Sequence, residues 1–149
     1  MITIQKSVIG TLLTLSSLLA FNAYAENSKS FGDYVVHYNA FRSDTLTPEI
    51  AKAYQLTRRN NRMVVNITVL KKDNNHTIPV KSKVSGFASN LTGQVKELNF
   101  KEVVEADAIY YLAQAQISNR ETLKFEIKTT PVGQSKSTKI KFDQQFFTD

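Results

Sequence analysis

An all-β fold, an immunoglobulin-like antiparallel β-sandwich of about seven strands with one short helix, is predicted by three features of this 149-residue chain. Apolar residues alternate with period two through most of the sequence, turn-forming clusters interrupt them at hairpin spacing, and only one clear helical start signal occurs. Short strands separated in this way are characteristic of two-sheet folds.

Residues 1–25 precede the sandwich. Lys6 is followed by the apolar run 8–21 and then by Ala23-Tyr24-Ala25, the pattern of a secretory signal peptide cleaved after Ala25. Gly10, Thr11, Thr14, Ser16 and Ser17 interrupt the run, which is shorter than the roughly 20 residues of a membrane-spanning helix. A single domain over residues 26–149 and a periplasmic location are therefore expected.

The first strand covers 34–41, with Tyr34, Val36, Tyr38 and Ala40 against the more polar Val35, His37, Asn39 and Phe41. Between Leu46 and Leu56 a two-turn helix is expected, because Thr47 can cap it, Pro48 presets φ at its first position and Glu49 complements its N-terminus. Ile50, Ala53 and Tyr54 would form its apolar face. The next strand, 63–70, directs Met63, Val65, Ile67 and Val69 one way; a polar turn at 72–76 leads to a return strand over 78–86. One strand is expected over 95–103. Residues 102–117 have good helix propensity, yet 109–117 reads as a strand because strands flank it and a turn follows at hairpin spacing. Alternation over 123–128 and 140–146 completes the set.

Several chemistries are excluded by composition. No cysteine is present, which removes disulfides, a lipoprotein anchor, thiol nucleophiles and Cys-liganded zinc. His37 and His76 have no second ligand at a metal spacing, so neither a metal nor another cofactor is expected. There is no G-x-S-x-G elbow and no phosphate-cradling glycine loop. Glu102, Glu105 and Asp107 are the nearest approach to a carboxylate cluster, and a solvated face explains them.

The formal charge is +6, and Lys6 would leave with the leader. Such a surplus favours an anionic envelope component or an envelope protein as partner, although alternating lysines such as Lys139 and Lys141 also suit the wet face of a strand. No nucleic acid is expected. The candidate binding surface is Tyr54, Arg58, Arg59 and Arg62, since arginine forks hold carboxylate and phosphate bidentately.

The segments Phe31-Gly-Asp-Tyr-Val-Val-His-Tyr-Asn-Ala-Phe41, Leu46-Thr-Pro-Glu-Ile-Ala-Lys-Ala-Tyr54 and Val65-Asn-Ile-Thr-Val69, with Asp107–Leu112 and Lys124–Ile127, are similar to an uncharacterised family of small exported proteins of Gram-negative bacteria. The resemblance implies a periplasmic immunoglobulin-like sandwich and, the family being a domain of unknown function, no reaction. A non-enzymatic binding or interaction module is the reading that follows. The alternatives are an envelope-polymer-modifying enzyme whose site forms only in three dimensions, and a strand-pairing assembly factor. Residues 42–62 would form either a recognition surface or a structural lid over the open end of the sandwich.

Overall fold

The computed structural model describes residues 27–149; the expected signal peptide lies outside them. The strands are β1 (Asn27–Phe31), β2 (Tyr34–Arg42), β3 (Arg62–Asp73), β4 (His76–Pro79), β5 (Ser82–Asn90), β6 (Val95–Leu98), β7 (Lys101–Val104), β8 (Ile109–Gln116), β9 (Glu121–Pro131) and β10 (Thr138–Phe146). A 3-10 turn at Ser43–Thr45 and the helix α1 (Pro48–Ala53) lie between β2 and β3.

Two antiparallel sheets form the sandwich. A six-stranded sheet runs β1-β2-β3-β8-β7, with β4 also paired to β3, and a four-stranded sheet runs β10-β9-β5-β6. Taken in chain order, β2-β3-β8-β7 facing β10-β9-β5-β6 reproduces the A-B-E-D and G-F-C-C′ arrangement of immunoglobulin domains. The inward residues of the central strands supply the core: Met63, Val65, Ile67, Leu123 and Ile127 are each 0% exposed. Each such side chain contributes roughly 1.5–3 kcal/mol by leaving water.

The fold differs from expectation in its finer divisions. Ten strands stand where about seven were expected. β1 is polar over Asn27–Ser30 and pairs with β2 through its backbone, so no alternation marks it. The run 78–86 is split, because Pro79 ends β4 in one sheet and Ser82 opens β5 in the other. The run 95–103 is also two strands: Leu98 is buried in the four-stranded sheet, and after Asn99 and Phe100 the chain continues as β7 in the six-stranded one. β8 is a strand as expected, since pairing to β3 and β7 overrides its helix propensity.

Helix α1 starts where its cap predicts, the Thr47 hydroxyl accepting from the Ile50 N–H at 3.3 Å. Its buried residue is Ala51, whereas Ile50 is 42% exposed and Ala53 is exposed, which corrects the expected apolar face. At one end the segment meets the chain beyond β10, the Asn60 amide donating to the Thr148 carbonyl at 2.9 Å. The Gln114 amide on β8 donates to the Thr57 carbonyl at 2.8 Å and accepts from its N–H at 2.9 Å, holding this part of the segment against the outer face of the six-stranded sheet. Gln114 stands directly opposite Val64, which points away from the core and yet is 0% exposed.

Candidate functional site

The ladder arranges the outward side chains of β2, β3 and β8 in rows. Phe41, Val64 and Gln114 form the row beneath the covering segment. Asn39, Asn66 and Leu112 form the next, and His37 opposite Thr68 the one beyond. The covering segment reaches Tyr110 on β8 and leaves Asn39 on β2 exposed. Past its edge lies a cleft of about 880 Å³, lined among others by His37, Asn39, Asn66, Thr68, Asp107 and Tyr110. Leu70 and Pro79 add apolar surface.

Each wall has a local cause. The Tyr110 ring packs against Tyr54 at 6.2 Å between centroids, so the end of α1 borders the cleft. Tyr54 donates its hydroxyl to Glu105, and that bond first, then burial, pushes the phenol up to about 12. Lys101 donates to the Gln55 side chain at 2.6 Å and tethers the same turn to β7. The floor is polar in the middle of a sheet: Asn39 and Asn66 are direct cross-strand neighbours, as are His37 and Thr68. The Oδ1 of Asn66 is buried and receives no hydrogen bond. Among the described residues no lysine or arginine lines the cleft.

Of the binding surface expected from the sequence, Tyr54, Arg58 and Arg59 lie in the connection between β2 and β3, and Arg62 begins β3. Arg58 and Arg59 are exposed and Arg62 is half-buried. Arg58 Nε donates to the Leu46 carbonyl at 2.6 Å, closing the loop around α1. The Arg59 backbone exchanges hydrogen bonds with the Ser43 hydroxyl at 2.9 and 3.0 Å. Arg62 opens β3 opposite Gln116, while Tyr54 reaches towards Glu105 and Tyr110. The contacts of the four residues thus lead to separate places. A further arginine, Arg42, grips Asp44 through two bonds of 2.9 and 2.7 Å and holds that carboxyl below its usual range.

Glu102, Glu105 and Asp107 also have separate tasks. Glu102 accepts from Tyr111 at 2.9 Å and pairs with Lys81 at 3.3 Å, Glu105 takes the Tyr54 hydroxyl, and Asp107 borders the cleft. The long edge strand β10 is blunted. Lys29 caps the Lys139 carbonyl at 2.7 Å, Gln144 that of Gln145 at 2.9 Å, and just past the strand Arg42 caps that of Phe147 at 2.8 Å.

Asn39, Asn66, Thr68 and Tyr110 were not singled out from the sequence. A polar pair on each of two central strands was the available signal, and it reads like any wet strand face until the register is known.

No curated protein matches the chain. Among solved structures, a DUF4426 family protein from Pseudomonas aeruginosa PAO1 is 41% identical, with a TM-score of 0.72 over 83% of this chain and 96% of that one. A copper-bound variant of FetP from uropathogenic Escherichia coli strain F11 is 12% identical, with a TM-score of 0.58 over 82% of this chain and 95% of FetP. FetP as isolated, expressed in the periplasm of Escherichia coli, is 11% identical at a TM-score of 0.56, covering 82% and 93%. The FetP likeness shows a shared sandwich fold. The model of the domain of unknown function DUF4426 matches residues 28–149, and the chain belongs to that family.

Proposed function

We propose that this protein is an exported, periplasmic, non-enzymatic binding module that takes a small polar ligand in the outer-face cleft. The observation that carries this reading is the cleft itself, about 880 Å³ with a floor of amide and hydroxyl side chains. Ligand sites are typically concavities of roughly 300–1,000 Å³ with a few convergent polar groups. Export is supported by the leader-like residues 1–25. The copper of FetP is not carried over, because among the described residues no three His, Cys, Asp or Glu side chains gather to hold a metal.

A thermal-shift screen of uncharged and charged polar metabolites separates the cleft from the arginines. Hits should survive the triple change Arg58→Ala, Arg59→Ala, Arg62→Ala and disappear in Asn39→Ala, Asn66→Ala. Hits that depend on the arginines and ignore the asparagines would refute the assignment.

One observation favours a second reading, an enzyme acting on an envelope polymer: His37 and Asp107 line the same cleft. Paired-carboxylate hydrolysis of glycosides needs two acids across the bond, and among the described residues Asp107 is the only carboxylate in the lining. Turnover of a labelled envelope polymer that is abolished by His37→Ala would favour the enzyme.

A further inference from the structure

We infer that the ligand of the cleft is an uncharged saccharide, an inference that rests on the cleft being the binding site. Charge supplies the first argument. The chain has 19 Lys and Arg against 13 Asp and Glu, yet among the described residues no Lys or Arg lines the cleft. An anionic ligand would be drawn by the general field towards the basic surfaces and would meet no cation here. A cationic ligand would find one carboxylate, Asp107, on an exposed rim where a single ion pair is worth little.

Hydrogen bonding supplies the second. Asn39, exposed on the cleft floor, presents an amide that both donates and accepts, so a ligand able to do both matches it best. Ionised carboxylates only accept, and a phosphate dianion likewise has no proton to give. A sugar hydroxyl donates and accepts, as do the facing groups: Asn39 and Thr68 each offer both functions beside Asn66. The third argument is the apolar surface of Tyr110, Leu70 and Pro79, which suits the C–H face of a pyranose ring. A peptide is a poorer match, because the floor is built by β2 and β3, whose backbones are already paired with each other and with their outer neighbours.

Calorimetric titration of the mature protein with five probes tests the class. The neutral probes are triacetylchitotriose and maltotriose; the others are the galacturonate trimer, the deacetylated chitosan trimer and end-blocked trialanine. At least one neutral trisaccharide should bind at least tenfold tighter than every charged probe and the peptide. Asn66→Leu should weaken it at least tenfold, and Arg58→Ala should leave it within twofold. Asn39→Ala, which alters an exposed side chain, gives the same reading if Asn66→Leu fails to fold. Tighter binding of a charged probe or the peptide, lost in the asparagine variants, would overturn the uncharged saccharide and leave the cleft in place. If no probe responds to either asparagine variant, the saccharide and the cleft assignment both fall.

Discussion

The Tyr111 hydroxyl accepts the Ser82 backbone N–H at 2.7 Å and so joins the two sheets at a buried point. Tyr111 projects inward from β8, and Ser82 is the first residue of β5 in the opposite sheet. The same hydroxyl donates to Glu102 on β7 at 2.9 Å. Burial, with the Glu102 carboxylate adding to it, pushes the phenol up to about 12, which keeps it a neutral donor at working pH. Tyr111→Phe leaves the Ser82 N–H without its partner and should cost about 1–3 kcal/mol in urea unfolding. A loss well below that range would mean the hydroxyl is not structural.

Gly86 marks a close approach between β5 and β9. A Cβ there would lie 2.5 Å from the Glu126 carbonyl oxygen and 2.9 Å from Ile127 Cα, both backbone atoms that cannot swing aside. Gly86→Ala should therefore destabilise by about 1–3 kcal/mol, as overpacking does, with the loss seen in the denaturation midpoint. An unchanged midpoint would contradict the contact.

Glu121 predicts a specific acid sensitivity. Burial alone would raise its pKa, but the Ser118 N–H at 2.8 Å, the Asn90 amide at 3.1 Å and Lys96 at 3.3 Å together bring it below the usual carboxylate range. A group whose folded pKa is depressed stabilises above its unfolded pKa, about 4.3 for Glu, and loses that contribution as pH falls through the folded value. Glu121→Gln should be about 1 kcal/mol less stable than wild type at pH 7, the gap closing in acid. A gap that persists unchanged at pH 2 would refute the linkage.

The bond from Tyr54 to Glu105 pins the covering segment beside the cleft. Tyr54→Phe should accelerate amide hydrogen exchange over residues 54–57, whose N–H groups are held by Ile50, Lys52, Ala51 and Gln114, while leaving the exchange of β3 and β9 unaltered. Equal acceleration throughout would show that the segment unfolds only with the whole sandwich.

The legible parts of the fold were those where one face of a strand always meets the core. Alternation at 63–70 and 123–128 therefore gave both the strands and their buried sides, Met63, Val65 and Ile67 among them. The change of sheet near Asn99 was not legible, because period two continues regardless of which partner the strand has. The helix start was readable from Thr47 and Pro48, but its resting place was not, since that depends on Gln114, 57 residues beyond Thr57. The site followed the same division. Arg58, Arg59 and Arg62 drew attention because they are neighbours in sequence, whereas Asn39 and Asn66 become neighbours only through the β2–β3 register.

The decisive measurement is amide chemical-shift mapping of the mature protein during titration with whichever of triacetylchitotriose and maltotriose binds the tighter. The largest changes should cluster at residues 37, 39, 66, 68 and 110, on strands far apart in sequence and adjacent on the outer face. Changes confined to residues 58–62, or spread over the lysine-bearing face of β9 and β10, would contradict it.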